Sequence, residues 1–511
     1  MFDLSKILLK TLLFALFYML CSFCAMAQDA DSVETQTTAI QLVSAEKWFY
    51  SKNKHNNAQV IIGDVVLMHD SATMYCDSAL LYKELNTLEA FGNVHIIEDD
   101  TIHLYGKFLK YNGQNKLINI KEDVRMVDPT TTLLTDELFY NRVDNVAYYL
   151  FGATIYNEDN ELVSRKGYYN TSTSDFTFHQ DVVITNPEYI LTSDTMLYNT
   201  NTKIVVAIDT THIYNKTNTM VCKSGIYNMD DDVGFFDSGV EIYYDNYILF
   251  SDSLFYDNNV EYAEAYRDVV VIDTTNNVTS WSEYLEYSKE DGYAFIADSA
   301  KVRMISETDT LFAVADTLYA TFDSTLIDIT MYRNVKLLHR DFQAVCDSAV
   351  VYKADSCMKL FKTPALWSSD NQITGDTIVF NTENNELKNI YVPINSFIVS
   401  QDSIGQFNQI KGEELYIYFN DKVINYMDIV GNSQVVYFLL NDNGSPMGTS
   451  ITSSINSKVI FIDGKMHNFI FYEEIDSDML PSDKTDPSRE RLDGLEWRVD
   501  ERPDYDFYKK K

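Results

Sequence analysis

Polar and apolar residues alternate at period two along most of the chain, as in Thr192-Ser193-Asp194-Thr195-Met196-Leu197-Tyr198. The runs are short, rich in Val, Ile, Thr, Tyr and Phe, and bounded by Asn/Asp clusters, which is the pattern of β-strands. No amphipathic segment of 3.6-residue period and useful length interrupts them. The predicted class is all-β.

The alternation itself repeats. A charged residue followed four positions later by Tyr recurs every 29 residues at Lys107, Asp136, Arg165, Asp194, Lys223 and Asp252. Three residues before each charge stands Leu104, Leu133, Leu162, Leu191, Met220 or Leu249. Immediately before it stands a small residue: Gly106, Thr135, Ser164, Ser193, Cys222 or Ser251. Less regular copies extend the array to about fourteen units between residues 40 and 475. A second column, exemplified by Gly92-Asn93-Val94, Glu122-Asp123-Val124, Gln180-Asp181-Val182, Ser238-Gly239-Val240 and Arg267-Asp268-Val269, uses residues that tolerate turn dihedrals. Each triplet reads as a turn opening a strand, and a unit has room for about three strands. Such a unit cannot bury its apolar face alone, so neighbours stack into one continuous domain.

Two architectures satisfy this periodicity. A parallel β-helix adds ~4.8 Å per coil, about 65 Å in all. An open, mostly antiparallel jelly roll with two sheets would reach roughly 70–130 Å on the same spacing.

Composition narrows the chemistry. The 511 residues carry a formal charge of −36, with 36 Tyr and 29 Phe but only 18 Gly and 8 Pro. That acidity excludes a nucleic-acid partner, which needs Lys/Arg to neutralise phosphates, and the aromatic content excludes wholesale disorder. Lys6 and Lys10, the apolar run Thr11–Phe23 and Ala25-Met26-Ala27 read as a signal peptide over residues 1–27, cleaved before Gln28. Residues 28–39 read as a flexible mature N-terminus. Residues 476–511, polar and containing Pro481, Pro487 and Pro503, read as a flexible, disordered tail, with a docking peptide of Leu495, Trp497 and Tyr505 as the alternative.

The alternating charge column, Lys107, Asp136, Arg165, Asp194, Lys223 and Asp252, reads as a structural ladder in which each charge meets opposite ones on stacked units. Cys76, Cys222, Cys346 and Cys357 read as small buried filler, with Cys346 and Cys357 the one pair near enough in sequence to bond. The scattered His show no ligand spacing, so no metal or other cofactor is expected. Carboxylates recurring in every other unit suit a scaffold, whereas catalytic carboxylates form one local constellation. The expectation is a non-enzyme.

Ala90-Phe91-Gly92-Asn93-Val94, Leu191-Thr192-Ser193-Asp194-Thr195-Met196-Leu197-Tyr198 and Asp428-Ile429-Val430-Gly431-Asn432-Ser433-Gln434-Val435 resemble the OstA/LptA family. The resemblance implies the antiparallel "β-taco" form of the jelly roll. It also implies a periplasmic conduit whose apolar groove holds the lipid A acyl chains of lipopolysaccharide. Its partners would be an inner-membrane export complex and an outer-membrane LptD-like translocon, joined by edge-strand addition. On that reading Leu104, Leu133, Leu162, Leu191, Met220 and Leu249, with Val94, Val124, Val182, Val240 and Val269, line the groove. Leu138, Met196 and Leu254 are expected on the opposite strand face, with the charges and Tyr. The chain has about fourteen units, more than a typical stand-alone member, and no barrel follows them. A structural or adhesive secreted solenoid without a lipid is the competing expectation.

Overall fold

A computed structural model describes residues 38–50 and 57–504, apart from 307–308, 323–326, 384–385, 421–422, 442, 463–464 and 485. The expected signal peptide, residues 28–37 and Tyr505 lie outside the described residues.

The described residues form 38 strands joined in one sheet. Every ladder along it is antiparallel, from Trp48↔Ile61 at one end to Ser457↔Phe471 at the other, which removes the β-helix alternative. Each repeat is two long strands, not three short ones. Thr87–Glu98 and Ile102–Asn112 make up one such pair. Successive pairs are hydrogen-bonded side by side, so the body reaches on the order of 130 Å at ~4.8 Å per strand.

The turn-like triplets lie within these strands instead of opening them. Phe91 faces Phe108 and Val94 faces Gly106, so Gly92 and Asn93 together oppose the single residue Lys107. Gly92 and Asn93 both have positive φ, 73° and 39°. The same paired left-handed backbone recurs at Glu122-Asp123, Gln180-Asp181, Ser238-Gly239 and Arg267-Asp268. The extra residue bends the strand while keeping Ala90 and Val94 on one face, and the in/out alternation reverses on the partner strand that lacks it, between Leu104 and Leu109. Every long strand is thereby folded into two halves belonging to two facing walls, wall A and wall B, with the bulges along the corner between them.

The reversal corrects the expected faces. Leu191 and Met196 stand an odd number of positions apart on one strand, yet both are buried, at 1% and 0% exposure. Leu138, Met196 and Leu254 therefore face the same interior as the Leu/Met column, from the opposite wall. The interior divides along its length into three apolar clusters, spanning residues 40–205, 220–300 and 313–461.

The corner also corrects the charge ladder. Column residues in successive units are two strands apart, roughly 10 Å, too far to pair. Lys107, Arg165 and Asp252 reach instead for a bulge residue on the adjacent strand. Lys107 pairs with Asp123, and Arg165 with Asp181 at 3.7 Å. Beside Asp77, Asp316 and Asp252 an Asn or a base stands in the bulge. Asn93 donates to Asp77 at 3.0 Å, Asn334 to Asp316 at 3.0 Å, and Arg267 to Asp252 at 2.6 Å. Asp136, Asp194 and Lys223 hold the same corner, exposed.

The segment expected to be a free tail is packed on the sheet. Asp476–Pro481 pairs with Gly448–Ser453. Beyond it the chain runs across the outside of wall B. There Gln409 and Gln372, 1% and 0% exposed, clamp its backbone at Glu490, Leu492, Glu496 and Arg498. Leu495 is buried against Phe397 and Val399, and Trp497 lies on Phe407. The apolar residues of that outer wall supply the reason: they are covered by the chain's own end.

Candidate functional site

The folded strands place their hairpin turns in two rows, the lips of a trough whose floor is the corner. Lip A carries turns such as 113–116, 142–145 and 200–203, and lip B carries 70–71, 99–101 and 158–159. All the candidate groove residues point inward from wall B. Ile96 faces Leu104, Met126 faces Leu133 and Ile184 faces Leu191 across the ladder, with Val94, Val124 and Val182 nearer the corner. Leu162 belongs to the same row. The Tyr column (Tyr111, Tyr140, Tyr169, Tyr198) faces them from wall A.

Between residues 40 and 205 the interior is filled. Leu104, Leu133, Leu162 and Leu191 are 0–1% exposed, and Tyr111 and Tyr198 no more than that. The lips are joined above them by polar clasps that the sequence reading did not identify. Arg142 on lip A binds Glu98 on lip B through two parallel bonds, Nε to Oε2 at 2.6 Å and Nη2 to Oε1 at 2.9 Å. Its Nη1 donates to Tyr111 Oη at 2.8 Å. His69 Nε2 donates to the Thr38 carbonyl at 2.7 Å, which leaves Nδ1 to accept the Tyr111 hydroxyl at 2.6 Å. Burial alone would lower the Arg142 pKa, but the Glu98 bonds outweigh it and the net direction is up. Burial raises the Tyr111 hydroxyl to about 12, so it stays a donor.

Other clasps follow at similar intervals. Lys116 pairs with Asp70 at 2.7 Å, and Tyr169 donates to Asp128. Tyr198 and Lys203 both donate to Asn157 at 2.7 Å, and Lys203 also pairs with Glu158 at 3.1 Å. Lys116, with help from Thr38, holds the Asp70 carboxyl down at about 2. Partners 41 to 46 residues apart on opposite lips leave no periodic signal, which is why they were not legible.

From residue 213 the same columns open. Leu249 and the column tyrosines Tyr227, Tyr256 and Tyr287 are only partly buried, as are Ile242 and Val271. The floor stays closed by Val240, Leu254, Ala265 and Val269. Over this stretch the turns bond to neighbouring turns of their own lip: Tyr227 and Asn258 to Asp232, and Lys289 to Glu261 at 2.5 Å. Farther on the walls meet again, with ring contacts Phe342–Phe380 at 5.1 Å and Tyr437–Phe469 at 5.0 Å. Met220 lies at the transition, 6% exposed.

Two further groupings bear on chemistry. Asp309, His339 and Asp341 gather on two lip B turns. His339 Nδ1 already accepts the Asp341 backbone N–H at 3.2 Å, and Nε2 faces Asp309 at 3.5 Å. The four cysteines are free and buried, with the Cys76, Cys222 and Cys346 thiols pushed up to about 12 by burial. No helix among the described residues is long and apolar enough to cross a membrane.

Residues 37–194 match the model of a family described as OstA-like protein. The likeness to the OstA/LptA family read from the repeat is shown over that stretch, which ends inside the filled part of the trough. No curated protein matches the chain.

Proposed function

We propose that this OstA-like chain is a non-enzymatic periplasmic conduit that carries lipopolysaccharide toward the outer membrane, its acyl chains lying between walls A and B. The observation that carries the reading is the doubled apolar lining. Because of the corner bulges both halves of the long strands present aliphatic and aromatic side chains inward, and between residues 220 and 300 this lining is only partly filled. Sliding acyl chains between such walls avoids exposing CH₂ groups to water, at ~0.8 kcal/mol each.

The ends fit hand-over to neighbours. Among the described residues Lys47–Tyr50 pairs on one side, with Gln59–Ile62, and presents Trp48 at 60% and Phe49 at 52% exposure. At the other end Lys465–Tyr472, among the described residues, likewise pairs on one side, with Asn456–Ile462. Such edges are templates for strand addition by an inner-membrane export complex or an outer-membrane translocon of similar fold.

Depletion in the native cell tests the proposal. The conduit reading expects lipopolysaccharide to accumulate at the inner membrane while surface lipopolysaccharide falls. Normal surface delivery without the protein would leave the structural-solenoid reading in its place.

A further inference from the structure

The segment that crosses the outside of wall B is held by its backbone. Gln372 Nε2 donates to the Glu496 carbonyl at 2.7 Å, and its Oε1 accepts the Arg498 N–H at 2.7 Å. Gln409 repeats the arrangement earlier in the segment, with the Glu490 carbonyl at 2.9 Å and the Leu492 N–H at 2.8 Å. In each case one side-chain amide takes the carbonyl of residue i and the N–H of residue i+2, as a peptide group of a neighbouring strand would. Lys411 Nζ adds a bond to the Asp493 carbonyl at 2.9 Å. Both glutamines are buried and share one row of wall B, in which Val399 is paired with Gln372 on one side and Gln409 on the other.

Side chains add selectivity. Leu495 is buried against Phe397 and Val399, and Trp497 lies on Phe407 with ring centroids 5.5 Å apart. Glu496 between them is exposed, so alternate residues face the wall, as in a peptide read by a sheet. The two clamped stretches are joined by a turn at Asp493-Gly494, closed by the Leu495 N–H on the Leu492 carbonyl at 3.3 Å. Gly494 has φ 94° in that turn, a backbone conformation that a side chain would strain. The apolar residues of this contact form a cluster of their own, apart from the three inside the trough. The segment is thus seated on the sheet without belonging to the core. Lifting it would bare Phe397, Val399, Phe407 and two amides that bind backbone.

We infer that this face of wall B is a peptide-recognition site, that residues 490–498 are its resident occupant, and that a segment of a partner chain with the same elements takes their place. Those elements are a leucine, a glycine turn, and a second leucine followed two residues later by an aromatic. Because the clamps bind backbone, the bonds that Gln372 and Gln409 lose with the resident segment are remade with the incoming one, and the exchange is even in hydrogen bonds. The resident segment has the advantage of being tethered, so it holds the site until it is weakened or outcompeted. The inference does not depend on what the trough carries, since the site lies on the outside of the wall.

The test uses the mature chain and a fluorescent synthetic peptide with the sequence of residues 488–500. In the chain, Leu495→Asp with Trp497→Ala weakens the resident segment and leaves the wall unchanged. This variant should bind the peptide roughly tenfold or more tightly than the wild-type chain does. Adding Gln372→Ala and Gln409→Ala should abolish that gain, and a peptide carrying Gly494→Ala should bind several-fold more weakly. A second measurement needs no change in the chain: a peptide with photoreactive benzoylphenylalanine at the Trp497 position should, at raised concentration, label the strand Phe407–Gly412 of the wild-type protein. Equal binding by wild type and the weakened variant, or no binding and no labelling in either, would overturn the exchange. Labelling elsewhere, or a gain that survives the loss of both glutamines, would overturn the assignment of the site.

Discussion

Arg142 is the residue on which closure of the first part of the trough depends most. Its side chain is 3% exposed and that of its partner Glu98 8%. Removing one member of such a pair leaves the other buried and uncompensated, which costs about 3–5 kcal/mol. Arg142→Met should therefore lower the urea midpoint strongly, and pairing it with Glu98→Gln should recover part of the loss. Equal midpoints for wild type and Arg142→Met would show that the clasp is not formed. Asp70 makes a pH-dependent counterpart. Its carboxyl is held down from 3.8 to about 2, so its stabilising contribution is complete above about pH 4 and is lost as pH falls toward 2. Comparing Asp70→Asn with wild type should show a stability difference at pH 5 that shrinks between pH 4 and pH 2. A difference that stays constant over that range would contradict the Lys116 tie.

At the scale of the strand, the bulge decides the fold. Deleting Asn93 would make the corner one residue against one and continue the alternation through it, turning Val94 and Ile96 outward. Each loses roughly 1.5–3 kcal/mol of burial. The variant should melt well below wild type and become protease-sensitive around Thr87–Glu98; wild-type melting would contradict the role of the bulge. The repeat itself was legible because three columns stay in register over six units, and the Leu, Val and Tyr residues it singled out all reach the interior or its rim. Strand number and face were not. Gly, Asn and Asp tolerate positive φ equally in a loop and in a bulge, so Gly92-Asn93-Val94 looked like the start of a strand when it is the fold of one. Once that residue is counted, Leu138 and Met196 move to the same interior as Leu133 and Leu191. The tail was misread for a related reason. Its polar composition hides Leu495 and Trp497, whose partners Phe397, Val399 and Phe407 lie far away in sequence.

For the whole molecule, the repeat makes one long body, but not a uniform one. A filled and clasped first part, an open middle and a resealed last part follow one another along a single sheet. The central claim, that lipid chains lie between the walls, is tested most directly by photo-crosslinking along one bent strand in exporting cells. Tyr247–Asp257 is the strand of choice because it crosses the open middle. With a crosslinker placed at one position at a time, lipopolysaccharide should be captured at Leu249, Leu254 and Tyr256, and not at Ile248, Phe250 or Phe255, the phase switching at the corner. Capture at none of the inward positions, or equally on both faces, would contradict the account.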